Sequence, residues 1–185
     1  MLTRTALAAG FTFVLFAAVQ AAEPVKSGPQ PGEQLAGPFH PLNINGEKAG
    51  QKNCLYCQNG LAPVAMVFAR DVDKPLVQLI KKLDDAAVKN KNYSMGSFVV
   101  FCSDDKDLEG KLKALAEKED LKKIVLSIDN PAGPKGYNVA KESDVTVVLY
   151  RDRTAKVNHS FKKGEMTAKD VDTIVGELQK ILTAE

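Results

Sequence analysis

The chain is punctuated by short, wholly apolar runs that alternate with helical stripes. Val64-Ala65-Met66-Val67-Phe68 and Phe98-Val99-Val100-Phe101-Cys102 have no polar interruption, the pattern of strands buried on both faces. Ile124–Ile128 and Val145–Tyr150 predict a third and a fourth strand. Between the first two, Asp73 is placed to cap a helix opening at Lys74-Pro75, where a proline fits the first turn. Leu76, Val77, Ile80, Leu83 and Ala87 recur along it at helical spacing, leaving Lys81, Lys82, Asp84 and Asp85 outward. Leu108, Leu112 and Leu115 mark a second helix. After the polar turn Arg151–Thr154, Val157–Phe161 is expected to return as a hairpin partner of the fourth strand. Thr167 and Asp170 have capping-box spacing, and Val171, Ile174, Val175, Leu178, Ile181 and Leu182 form one stripe of a final helix.

Two strand–helix–strand crossovers predict an α/β fold with parallel central strands, helices on both faces, and a C-terminal β-hairpin plus helix. Phe39–Ile44 is a Pro-limited edge strand ending at the turn signal Asn45-Gly46. Ahead of it, residues 22–38 carry Pro24, Pro29, Pro31 and Pro38 with Gly28, Gly32 and Gly37. That composition is expected to give a flexible leader, so the domain is taken as residues 39–185. Residues 1–21 read as a cleaved signal peptide: a basic start at Arg4, an uncharged apolar stretch, and small residues at Val19-Gln20-Ala21. Secretion or a periplasmic location is therefore expected, with no membrane span once the signal is removed.

The order of elements resembles the thioredoxin-like superfamily, in particular its peroxiredoxin and secreted thioredoxin-like reductase branches. The strand at Ile124–Ile128, followed by Asp129-Asn130-Pro131 and Tyr137-Asn138-Val139, is similar to the segment those branches insert before the final hairpin. The resemblance spans residues 39–183 and implies a three-layer sandwich around a mixed sheet. It also implies redox cysteines in the loop after the first central strand. There the chain reads Arg70-Asp71-Val72-Asp73-Lys74, without cysteine, and Val145 stands where the family places its cis-proline.

The sulfur chemistry instead lies ahead of that strand, in Cys54-Leu55-Tyr56-Cys57. In an oxidising compartment this pair is expected to bridge or to cycle, with Cys102 left over. Two functions stay open. One is an exported thiol–disulfide oxidoreductase acting on protein thiols or disulfides, with Cys54 as the exposed attacking thiolate and Cys57 as its resolving partner. The other is a catalytically degenerate binding or structural module whose Cys54–Cys57 bridge braces a loop.

The remaining residues narrow the field. With Lys and Arg totalling 25 against 23 Asp and Glu, and both signs interspersed, no basic stripe points to nucleic acid. No cofactor is implied. A metal reading would need His40 and His159 beside the two cysteines; both histidines lie in strand-like segments, and Gln58 after Cys57 excludes covalent haem attachment. Cys102 ends a buried run and is expected to behave as a small hydrophobe. The acidic group Asp104, Asp105, Asp107 and Glu109 lacks calcium-loop spacing and suits the start of a helix. Asn92 and Asn158 fit the glycosylation sequon.

Overall fold

The structure, a computed structural model, describes residues 25–183; the expected signal peptide and residues 22–24 lie outside them. Six strands form one mixed sheet, β1 (Leu42–Asn43), β2 (Val64–Ala69), β3 (Gly96–Cys102), β4 (Val125–Asp129), β5 (Val145–Arg151) and β6 (Thr154–Phe161), in the order β1-β4-β3-β2-β5-β6. β2, β3 and β4 run parallel, while β1, β5 and β6 are antiparallel to their neighbours. The β5–β6 turn carries Asp152 and Arg153 at φ 51° and 61°, the left-handed pair that a tight hairpin turn requires.

Helices α2 (Lys74–Lys89), α3 (Leu108–Lys118) and α4 (Ala168–Glu177) share the first face of the sheet. The alternation of the strands sets this up: Ala65, Val67, Val99, Phe101, Val147 and Leu149 point toward Leu76, Leu83, Leu112 and Ile174 in one cluster. Asp73 accepts from the Leu76 amide to cap α2, and Thr167 with Asp170 forms the capping box of α4. Asp84, expected outward on α2, is instead 1 % exposed. Its carboxylate accepts from the backbone amides of Lys122, Lys123 and Ile124. These donors have no ladder partner just before β4, so a buried carboxylate serves them.

The second face has a different construction. Val64, Met66, Phe68, Phe98, Val100 and Tyr150 are covered there by α1 (Leu55–Asn59), by the stretch around Phe39, and by the irregular segment holding Tyr137. Phe39 and Tyr137 pack edge to face with centroids 4.9 Å apart, a favoured aromatic geometry. The expected helical cover on this face thus reduces to one short helix and packed loops.

Residues 25–38 differ from the flexible leader expected of their composition. Ser27 is 1 % exposed, and its hydroxyl pairs with Thr146 Oγ1 at 2.7 Å and accepts from the Ala140 amide at 2.9 Å. Asn158 Nδ2 donates to the carbonyls of Ser27 and Pro29. Gly28, at φ 74°, sits so close that a Cβ there would meet Thr146 Cγ2 at 2.9 Å. The proline-rich stretch is a strap across β5 and β6, held by these side-chain hydrogen bonds, by backbone hydrogen bonds from Gly32 to Ala155, from Leu35 to Arg153 and from Ala155 to Glu33, and by the burial of Leu35 in the second-face core, so its low hydrophobicity is compatible with order.

Candidate functional site

The site grows out of the edge strand. Beyond the Asn45-Gly46 turn the chain folds back along β1: the Asn43 amide donates to the Gln51 carbonyl at 3.0 Å, Gly50 to Asn43 at 2.8 Å, and Asn53 to Pro41 at 3.1 Å. This extra rung delivers Cys54 onto the second face as the N-cap of α1, where Leu55 and Tyr56 bury against the sheet. The far end of α1 is fixed by Asn59, whose amide donates to the Leu55 carbonyl at 2.7 Å. That side chain lies against β3, and a Cβ at Gly96 would collide with Asn59 Oδ1 at 1.9 Å. The Arg153 guanidinium stacks 5.0 Å above the Tyr56 ring, holding α1 from the hairpin side.

Cys54 and Cys57 are joined as a disulfide, Cα to Cα 5.2 Å. The two sulfurs are not equivalent. Cys54 is 8 % exposed and its Sγ accepts from the Cys57 amide at 3.1 Å, whereas Cys57 is exposed. The expectation that Cys54 is the exposed member is therefore reversed. The cause is local: Cys54 caps the helix with its side chain turned over the buried Leu55–Tyr56 turn, and Cys57 lies on the outer side of α1.

The carboxyl edge of β2, where the resemblance puts a redox loop, is built differently. Arg70 leaves β2 and spends its guanidinium on carbonyls: Nε donates to Ser143 at 2.9 Å, Nη1 to Pro131 at 2.7 Å and Nη2 to Ala140 at 3.1 Å. These contacts clamp the 130–143 segment over the ends of the parallel strands. Ser143, Thr146 and Ser27 continue inward as a chain of buried hydroxyls. Cys102 lies beneath the same segment, 3 % exposed and 3.4 Å from where a Cβ would stand on Gly133. Burial pushes its thiol up to about 11, the nearby Arg70 charge opposing and Asp129 reinforcing the shift. A thiol so protonated near neutral pH is a poor nucleophile.

The other candidates fall outside the disulfide region. His159 pairs with Glu177, which also receives Lys180. Among the described residues no group of three His, Cys, Asp or Glu is placed to hold a metal. The Asn158 amide is engaged by the strap, and the acidic residues near α3 pair with lysines, Asp105 with Lys111 and Glu109 with Lys113.

No family model and no curated protein matches the sequence. Solved structures do match. A protein assigned as a thiol:disulfide interchange protein DsbE from Chlorobium tepidum aligns with a TM-score of 0.60 at 15% identity, covering 86% of this chain and 99% of its own. One assigned as a protein disulfide isomerase from Bacteroides thetaiotaomicron gives 0.63 at 15% identity, covering 85% and 94%. Peroxidoxin BcpB from Mycobacterium tuberculosis gives 0.59 at 14% identity, covering 83% and 98%. The chain has a thioredoxin-like fold. Within this thioredoxin-like domain the disulfide occupies the approach to the first central strand, and an arginine clamp occupies the loop after it. No sequence motif announced that clamp; the only signal was a lone arginine directly after a buried strand.

Proposed function

We propose that the protein is an exported thiol–disulfide oxidoreductase that works through Cys54 and Cys57, with Cys57 as the sulfur that exchanges with substrate. The observation that carries this reading is the asymmetry of the bridge: one sulfur exposed, the other buried and hydrogen-bonded to an amide. A substrate thiolate attacks Cys57 Sγ, the Cys54–Cys57 bond breaks, and Cys54 leaves as a thiolate. The Cys57 amide favours that thiolate, as a hydrogen bond to a charged acceptor does. A second substrate thiolate then attacks the substrate sulfur of the mixed disulfide and releases Cys57. The substrate dithiol is oxidised to a disulfide, and the protein takes up both electrons and, through solvent, both protons. Run in reverse, Cys57 attacks and Cys54 resolves. The disulfide-exchange assignments of the Chlorobium and Bacteroides proteins agree with this chemistry.

The test is the reduction potential of the bridge together with dithiol-dependent insulin reduction. A working pair has a potential above about −300 mV, the upper edge of inert structural bridges, and Cys57→Ser abolishes turnover. The second reading, a structural module with a bracing disulfide, is favoured by Arg70 filling the loop the family uses for chemistry. A potential below that value without turnover establishes it instead.

A further inference from the structure

Against Gln58, the residue that follows Cys57, and between the Asn45-Gly46 turn and the start of β4, lies a cleft of about 180 Å³ lined by Asn43, Glu47, Lys48, Gln58, Lys122 and Lys123. It is below the ~300–1,000 Å³ usual for larger organic ligands. Its base is unusual. Leu42 and Ile44 turn to the first-face core, so the intervening Asn43 faces the second, and it is 1 % exposed. Its Oδ1 is buried without a hydrogen-bond partner, a deficit that a ligand's donor would relieve. Around this acceptor the rim carries both signs of charge. Among the described residues Lys48, Lys123 and Glu47 make no ion pair, while Lys122 is held by Asp120. Gln58, next in sequence to Cys57, forms the wall and is braced by Asn53 Nδ2 at 2.8 Å.

A buried acceptor beside a carboxylate suits an ammonium group; two uncommitted lysines suit a carboxylate. Both together, in so small a space, describe the headgroup of one α-amino acid. We propose that this cleft binds the zwitterionic headgroup of a small aminothiol, free cysteine, and presents its sulfur to Cys57. The binding follows from the cleft, and the fate of the bound molecule rests on the redox reading above. The cysteine thiolate attacks Cys57 Sγ, the Cys54–Cys57 bond breaks, and Cys54 leaves as a thiolate. A second cysteine thiolate attacks the bound cysteine sulfur, releasing cystine and the Cys57 thiolate. The two protons lost by the cysteines pass through solvent to the two protein thiolates, so two cysteines are oxidised as one bridge is reduced.

The probe is S-methyl-L-cysteine, which has the headgroup but cannot exchange disulfides, titrated calorimetrically into the oxidised protein. Saturable binding is expected, weakened at least about fivefold in Lys48→Ala/Lys123→Ala, as loss of about 1 kcal/mol of ion pairing requires. Lys48→Glu/Lys123→Glu, also confined to exposed side chains, weakens it further. N-acetylation or esterification of the probe weakens binding in the parent protein for the same reason. No binding at millimolar probe, or binding indifferent to the lysines and to the headgroup, overturns the proposal even if insulin reduction proceeds. Lysine-dependent binding in a protein with no reductase activity upholds the cleft and removes the redox reading alone.

Discussion

Arg70 and Ser143 meet across the carboxyl edge of the sheet, the arginine Nε donating to the serine carbonyl over 2.9 Å. The contact puts a fixed cation at the carboxyl end of β2 and ties the loop before β5 to it. Among the described residues the loop after β2 holds no cysteine, and the disulfide lies at the other approach to that strand.

Replacing Arg70 by alanine removes its three guanidinium contacts. Hydrogen bonds from a charged donor are worth ~1.5–3 kcal/mol each when buried, and this arginine is only half-buried. A loss of about 2–3 kcal/mol is expected overall, read as a lower urea midpoint at unchanged slope. Insulin reduction per folded molecule should stay as it was.

Ser27→Ala strips the buried partner from Thr146 and from the Ala140 amide. The expected cost is about 1–3 kcal/mol, measurable by thermal melting. Hydrogen exchange should rise along residues 25–38 in the same variant. A segment that behaved as a loose leader would show neither effect.

The three cysteines should separate by reactivity. After mild reduction, iodoacetamide should modify Cys57 first, Cys54 more slowly and Cys102 only on unfolding, following their exposure. Cys54→Ser should trap a mixed disulfide at Cys57, visible by intact mass. If Cys54 is alkylated first, the polarity assigned to the bridge is reversed.

Cys102 also sets an alkaline limit on stability. Its thiol is raised by burial to about 11 from an ordinary 9.0. The folded state therefore binds this proton more tightly than the unfolded chain does. The contribution is complete below pH 9 and is lost as pH climbs through 11, amounting to about 2–3 kcal/mol by linkage. Chemical denaturation at pH 8 and pH 10.5 should show the fall, and Cys102→Ala should reduce it, the remainder coming from the Tyr137 and Tyr150 hydroxyls, whose titration burial also pushes up.

Apolar periodicity alone located the central strands. Val64–Phe68 and Phe98–Cys102 became β2 and β3 because a run without polar residues has no stable place except between two layers. Local capping chemistry at Asp73 and at Thr167–Asp170 fixed two helix starts for the same reason: its partners lie within one turn. What escaped sequence reasoning was nonlocal. Asp84 looks outward by helical spacing, and only the amides of residues 122–124 draw it in. Prolines and glycines in 25–38 have the composition of a linker, and their order depends on Thr146, Asn158 and Ser160 far along the chain. The Cys54–Cys57 pair was visible as a motif, but which sulfur faces solvent depends on how α1 lies on the sheet.

The strap imposes an order on assembly. Ser27 finds its hydroxyl partner 119 positions downstream, on a strand that ends the parallel core and begins the hairpin. Contacts of such separation close late, since a long loop must be ordered before any of them is gained. While the chain is still emerging, the second face is thus left without its belt until β5 and β6 exist. During that interval the Cys54–Cys57 helix also lacks the Arg153 guanidinium that stacks on its Tyr56 ring in the finished fold.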